Sequence, residues 1–258
     1  MIAKKQIALL QLSENLALGR GNHLLKLRMP EGALLPAMYA GQFVEVQAPN
    51  GEVLLRRPIS VCNVDEARGE LWLLVARVGR GTEAITEAKV GDQLSLIFPL
   101  GNYFRIEGAK RPLLVGGGVG TAPMLYLAKT FADRGIHSEI LLGGRTADQL
   151  VLLDEFRRYG TLHLTTDDGT MGVHGRVTDH PLWQEAQYDR IYTCGPKPMM
   201  VAVAHLAKER GIDCEVSLEN TMACGLGACL CCVEDVHERG NVCVCTEGPV
   251  FNSKELKW

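Results

Sequence analysis

Four cysteines near the end of the chain carry the strongest chemical signal. Cys224, Cys229, Cys232 and Cys245 read as C-x4-C-x2-C-x12-C, with three thiolates on one tight loop and a fourth from just downstream. A dense thiolate cage suits an iron–sulfur cluster, and the first two spacings match the plant-type [2Fe-2S] pattern, although the last is shorter. Gly225 and Gly227 relieve backbone crowding where a loop must fold around an inorganic core. Cys231 and Cys243 are then spare. Cys232 is preferred to Cys231 by the C-x2-C spacing, whereas spacing alone leaves Cys245 and Cys243 both open. A zinc knuckle is the alternative, with His237 as a further possible ligand.

Five other stretches hold residues suited to binding. Arg57-Pro58-Ile59-Ser60, with Arg56 before it, sits at the end of an expected apolar strand, Val53-Leu54-Leu55, and joins a planar cation to a hydroxyl. In a strand Arg57 and Ile59 share a face and Ser60 takes the other, so Arg57 could clamp a phosphate while Ser60 meets a polar ring. The plain alternative is an edge strand with a solvated arginine pair. Gly79-Arg80-Gly81-Thr82 leads into a helix-like piece, Glu83 to Lys89, with Thr82 as expected N-cap and free amides for phosphate oxygens.

Gly116-Gly117-Gly118-Val119-Gly120-Thr121 runs from an apolar strand into a helix with Pro123 in its first turn, a geometry for a dinucleotide pyrophosphate. No G-x-G-x-x-G register fits it, and the second strand ends in Gly143-Gly144-Arg145-Thr146 rather than at an acid, so the ordinary NAD fingerprint is missing. Cys194-Gly195-Pro196 puts a thiol at a strand end, or is a buried cysteine before a common turn. Thr166 to Thr170 is a plain loop or a contact to ribose and adenine.

These stretches need three kinds of support. Up to about residue 108 the chain has short β-favouring runs, Phe43 to Gln47, Leu71 to Val75 and Leu94 to Phe98, separated by Pro49-Asn50-Gly51, Ala67-Arg68-Gly69 and Gly91-Asp92. They predict an antiparallel barrel or sandwich. From about 109 to 219 five strands (Pro112 to Val115, Ser138 to Leu142, Leu162 to Thr166, Arg190 to Thr193, Cys214 to Leu218) alternate with helices expected over Ala122 to Arg134, Asp148 to Tyr159, Val177 to Ala186 and Lys197 to Arg210. That alternation predicts a doubly wound parallel sheet, with its glycines beyond the strands' carboxyl ends, where ligands bind. The expected units are a β-barrel over 1–108, an α/β domain over 109–219 and a small cysteine lobe over 220–258.

A formal net charge of -3 argues against nucleic-acid binding. The sequence has no apolar run long enough to span a membrane, and the Ile7 to Leu12 run after Lys4 and Lys5 is too short for a signal peptide. Clustered cysteines in an odd total of nine favour ligands over disulfides, and so a reducing cytoplasm.

The order of these motifs resembles the ferredoxin-NADP reductase superfamily. With Met222-Ala223-Cys224-Gly225-Leu226-Gly227-Ala228-Cys229 and Cys245-Thr246-Glu247-Gly248-Pro249-Val250-Phe251 it resembles, over essentially its full length, the electron-transfer subunits of NAD-dependent two-subunit dihydroorotate dehydrogenases of pyrimidine biosynthesis. The resemblance selects Cys245 over Cys243 as fourth ligand. It implies FAD on the barrel, with Arg57 at the pyrophosphate, Pro58, Ile59 and Ser60 beside the flavin, Val75, Ala76 and Arg77 along it, and Gly81 and Thr82 at the phosphates. Ile59 departs from the tyrosine that stacks on the flavin in many members.

The resemblance also implies NADH, with Gly116 to Thr121 at its pyrophosphate and Cys194, Gly195 and Pro196 near the nicotinamide, and a [2Fe-2S] cluster as the exit. The implied partner is an FMN-bearing barrel subunit of about 250 residues, in a dimer of heterodimers. Related NAD(P)H:ferredoxin or sulfide oxidoreductase subunits, which tend to replace one thiolate with aspartate, are the nearest alternative. A non-catalytic zinc-binding regulatory module is the alternative of another class.

Overall fold

The computed structural model describes residues 4–31, 33–49, 51, 53–185 and 187–258. Its first part is a closed barrel of six strands: β1 (Gln6–Gly19), β2 (Asn22–Arg28), β3 (Phe43–Val46), β4 (Arg57–Asp65), β5 (Glu70–Ala76) and β6 (Gln93–Leu100). All pairings are antiparallel, in the order β1-β2-β5-β4-β3-β6. The N-terminal apolar run is the start of β1: Leu10 and Leu12 fill the barrel while Ile7 and Leu9 face out, the period of a half-buried strand. Val53 to Leu55 is not a strand. Leu54 is exposed there, and β4 begins at Arg57 itself.

A short helix, α1 (Arg80–Thr86), follows β5. Gly79 rather than Thr82 caps it. Thr82 sits one turn inside, where its Oγ1 accepts from the amides of Val78 (2.9 Å) and Gly79 (3.2 Å) and closes the turn.

The second part contains β7 (Pro112–Gly117), α2 (Thr121–Ala132), β8 (Ser138–Gly144), α3 (Leu153–Arg157), β9 (Gly160–Thr166), β10 (Val173–His174), α4 (Leu182–Glu185), β11 (Arg190–Cys194), α5 (Lys197–Glu209) and β12 (Asp213–Ser217). The expected helix over 148–159 is reduced to α3, because Leu152 takes a left-handed conformation (φ 59°) and breaks it. The helix expected from 177 splits into a 3-10 turn at Val177–Asp179 and α4. His180 is extended before Pro181, as residues preceding proline tend to be. The expected end of that helix, Ala186, lies outside the described residues.

The last part holds the hairpin β13 (Val233–Val236) and β14 (Gly240–Cys243), then α6 (Val244–Glu247) and β15 (Val250–Asn252). The large sheet runs β10-β9-β8-β7-β11-β12-β15, parallel except for β15, which pairs antiparallel with β12. A strand from the cysteine lobe thus completes the neighbouring sheet.

Strand order reverses between β7 and β11, opening a crevice at their carboxyl ends. The positions of the three parts are fixed by shared apolar cores. One cluster runs from the barrel interior into α2, and Tyr126 on α2 donates its hydroxyl to Met38 O at 2.7 Å. The other joins the opposite face of the sheet to the cysteine lobe through Val216, Phe251, Val244 and Cys245. Among the described residues no helix is long and apolar enough to cross a membrane.

Candidate functional site

A cleft of 300 Å³ opens where the three parts meet. Its barrel wall is Arg57, Pro58, Ile59 and Ser60 on β4, Leu74 and Ala76 on β5, and Val78 and Thr82 at α1; Val119 and Ala122 come from the β7–α2 turn, and Glu219, Asn220, Met222 and Pro249 from the segments flanking the cysteine loop. Six predicted binding residues, Arg57, Pro58, Ile59, Ser60, Ala76 and Thr82, therefore share one surface with Val119. Val75 does not join them. Strand alternation turns its side chain into the barrel core, and Leu74 and Ala76 take the cleft instead. Arg77 points to solvent and pairs with Glu87 at 2.8 Å.

The two arginines at the start of β4, Arg56 just before it and Arg57 its first residue, separate cleanly. Arg56 turns away from the cleft and binds Ser95 on β6, donating to its carbonyl at 2.7 Å and its hydroxyl at 2.9 Å. Arg57 enters the cleft with its Nη1 on the carbonyls of Leu55 and Arg56, each at 3.0 Å, and takes part in no described ion pair. Gly81 packs flat against that guanidinium. A Cβ there would lie 2.8 Å from Cζ and Nη2, so the glycine is what lets Arg57 occupy its place. An arginine outside any described ion pair, at the rim of a mostly apolar cleft, fits a diphosphate-bearing flavin cofactor.

Beyond the cleft lies the switch point of the sheet. Gly116 to Thr121 and Cys194 to Pro196 stand side by side, because Cys194 pairs with Gly116 across β11 and β7. Gly120 is pressed against the other turn: a Cβ would fall 2.5 Å from the Cys194 carbonyl group and from Gly195 Cα. This close approach leaves the opening of α2 facing the crevice, as a nucleotide diphosphate requires. Cys194 is fully buried and its Sγ donates to Glu219 Oε1 at 3.8 Å. Burial first, and then the Glu219 charge, hold the thiol well above its ordinary pKa, so it stays neutral. The Glu219 carboxyl, on a side chain that opens into the cleft, is also pushed up, by desolvation from the cleft walls.

In the cysteine loop Gly225 and Gly227 have φ of 65° and 84°, which a side chain would strain. The turn they make aims amides at sulfur. Leu226 N donates to Cys224 Sγ (3.4 Å), Gly227 N to Cys245 Sγ (3.2 Å) and Cys245 N to Cys232 Sγ (3.4 Å). The Leu226 amide leads the groups that bring Cys224 down to about 6, with further hydrogen bonds from Cys229 and Ala228. Burial, then the Cys232 thiol, push Cys245 up to about 12.

The thiols thus associate as Cys224 with Cys229 and Cys232 with Cys245. Among the described residues no three His, Cys, Asp or Glu side chains converge as ligands of a single ion would. Two pairs of thiols with amides already on sulfur fit a two-iron cluster better than one zinc ion. Cys231 is exposed and enters none of these bonds, while Cys243 stays at the rim, 4.0 Å from Gly227 O.

Two residues of this region escaped the sequence reading. Glu219 follows the carboxyl end of β12, the place where open sheets put ligand contacts, so the strand pattern contained its signal. Glu45 had no such signal. Its carboxylate is fully buried on β3 with no hydrogen-bond partner among the described residues, next to the cysteine loop: a Cβ on Gly225 would lie 2.7 Å from its Cγ. Burial, opposed by Arg56, raises it to about 7.

Comparison with known proteins adds three domain matches. Residues 9–104 match the oxidoreductase FAD-binding domain, 114–205 the oxidoreductase NAD-binding domain, and 219–257 the iron–sulfur cluster binding domain of dihydroorotate dehydrogenase B. The chain is 40% identical over 222 residues to the electron transfer subunit of dihydroorotate dehydrogenase B (NAD(+)) from Bacillus caldolyticus, covering 84% of this chain and 86% of the relative. Its counterpart from Streptococcus pneumoniae is 37% identical over 228 residues, covering 86% and 91%.

Among solved structures, a chain of an NADH-dependent reduced ferredoxin-NADP oxidoreductase, studied for flavin-based electron bifurcation, superposes with a TM-score of 0.87 at 31% identity, covering 100% of this chain and 92% of that one. Phthalate dioxygenase reductase shares the fold, with a TM-score of 0.69 at 21% identity, covering 93% and 94%. The chain belongs to the family of electron transfer subunits of dihydroorotate dehydrogenase B.

Proposed function

We propose that this chain oxidises NADH and relays the electrons, through FAD and a [2Fe-2S] cluster, to an FMN-bearing catalytic subunit that handles dihydroorotate. The observation that carries this reading is the single cleft walled by all three parts of the chain, with the flavin residues of the barrel, the nucleotide turn and the segments beside the thiol loop facing one space. When bound, the flavin supplies the conversion of a two-electron hydride into single electrons.

The residues divide that work. Arg57 holds the cofactor's diphosphate with Gly81 and Thr82 behind it, and Pro58, Ile59, Ser60 and Ala76 line the ring. Gly116 to Thr121 hold the NADH diphosphate, and Gly195, Pro196 and the neutral Cys194 thiol, tied to Glu219, lie near the nicotinamide. Hydride transfer between two rings needs orientation and water exclusion and no acid or base. Cys224, Cys229, Cys232 and Cys245 ligate the cluster. All four thiolates being present favours this reading over the related ferredoxin and sulfide oxidoreductase subunits.

The chain divides into barrel (1–108), nucleotide sheet (109–219) and cluster lobe (220–258), and its relatives' name, electron transfer subunit, supports giving the dihydroorotate chemistry to a partner, in a dimer of heterodimers within the cytoplasm. The test is the visible spectrum of the anaerobically purified protein before and after NADH. Flavin and cluster bands that both bleach support the reading, and a colourless protein with stoichiometric zinc refutes it.

A further inference from the structure

Asn102, just past the end of β6, sits in neither the cleft nor the thiol loop, yet it holds the chain between them. Its Nδ2 donates to Glu247 O at 2.9 Å and Val250 O at 2.8 Å, and its Oδ1 accepts from Val250 N at 2.8 Å. Its own amide donates to Gly248 O at 2.6 Å. The remaining carbonyl of this tract, that of Pro249, accepts from Leu218 N at 2.9 Å, and the Gly248 amide turns back to Val244 O at 3.0 Å. One side chain and its amide therefore satisfy three of the four carbonyls from 247 to 250. Most of the backbone accounting for this tract thus falls to Asn102, and Leu218 takes the remaining carbonyl.

What this tract joins gives Asn102 its consequence. Cys245 lies two residues upstream within α6, and Pro249 forms part of the cleft wall opposite the flavin strand. The other thiols follow Cys245: Gly227 N is on its sulfur, its own amide is on Cys232 Sγ, and Val244 N donates to Cys232 O at 3.1 Å. Gly101, beside Asn102, lets the barrel end close on the tract, since a Cβ there would meet Pro249 Cδ at 2.5 Å. The barrel thus grips the cysteine lobe next to the fourth thiolate. Asparagine suits that point because its planar carboxamide presents two donors and an acceptor together. An aspartate of the same shape would set acceptor oxygens against two carbonyls.

We propose that Asn102 is a positioning residue that fixes the thiol cradle relative to the flavin cleft, and so governs the electron step between them without touching the hydride step. This rests on the functional reading above. The test uses the chain co-expressed with its catalytic partner, as wild type, N102A and N102S, the last keeping a hydroxyl that can make one of the lost bonds. Iron and acid-labile sulfide are measured, flavin and cluster bleaching are followed separately after mixing with NADH, and hydrogen exchange is read on the peptide spanning 244–252.

The expected result is full iron and flavin bleaching within about twofold of wild type. Cluster bleaching in N102A should be slowed by about tenfold or more, the scale on which ångström misplacement acts. N102S should fall between the two, and exchange over 244–252 should accelerate in step. Cluster bleaching at the wild-type rate with iron retained overturns the proposal, and so does loss of iron from both variants, which assigns Asn102 to cluster assembly. Failure of the functional reading would look different, because the wild-type cluster itself would then not bleach with NADH.

Discussion

Gly81→Ala should separate cofactor binding from folding. The added Cβ would lie 2.8 Å from Arg57 Cζ and Nη2 against an ordinary minimum of 3.4 Å, a shortfall of 0.6 Å, and closer still to Nε. Its nearest neighbours all belong to one half-exposed side chain, and Gly81 needs no left-handed φ, so the backbone can stay in place while the guanidinium swings out of the cleft. The fold should then lose about 1 kcal/mol or less, because a flexible side chain moves and the backbone does not. Moving the cation off the diphosphate removes a charge-assisted hydrogen bond worth about 1.5–3 kcal/mol. At 1.36 kcal/mol per decade that weakens FAD about ten- to hundredfold.

The assay is fluorescence titration of deflavinated protein with FAD, alongside thermal melting of the same preparation and its iron content. Arg57→Ala should match G81A in affinity. An unchanged FAD affinity in G81A would refute the reasoning that Gly81 exists to seat Arg57 at the diphosphate.

Gly120→Ala meets backbone rather than a side chain, so it should destabilise by about 1–3 kcal/mol, lower Tm by roughly 2–4 °C for each of these and raise the KM for NADH; melting curves and steady-state kinetics check both. Cys231→Ser should keep full iron and labile sulfide while Cys232→Ser loses most of both, as a metal assay on anaerobic protein would show. Burial raises the Glu215 carboxyl to about 6, opposed by the Arg105 amide and nearby arginines. Its folded pKa lies above the unfolded value, so its contribution is present at low pH and is lost as pH rises through about 6, by about 1 kcal/mol between pH 5 and 8. Denaturant melts of wild type and E215Q should therefore show the variant gaining relative stability at pH 8 over pH 5, and equal differences at both would refute the assignment.

Much of this was legible in the sequence where local rules act alone. Five of the six parallel strands announced themselves as apolar runs ending in glycine or polar turns, the two-residue β10 did not, and the C-x4-C-x2-C loop was visible from spacing. Legibility failed where distant segments decide. Whether Asp148 to Tyr159 stays helical depends on Leu152, whose left-handed backbone no propensity predicts. Val53 to Leu55 has the composition of a strand, but β3 pairs with residues starting at Arg57, leaving that run outside the ladder. The orphaned carboxylate of Glu45 and the staple at Asn102 arise from contacts between the barrel and a loop near the other end of the chain.

The seventh strand of the large sheet has a consequence for how the protein is made. Until Val250 to Asn252 leave the ribosome, β12 is an open edge with unpaired amides and carbonyls, a surface that invites aggregation. Loss of the last ten or so residues would therefore strip the nucleotide sheet of its border as well as the cluster of its support. A damaged chain would more readily be cleared than persist as an NADH oxidase cut off from its electron acceptor.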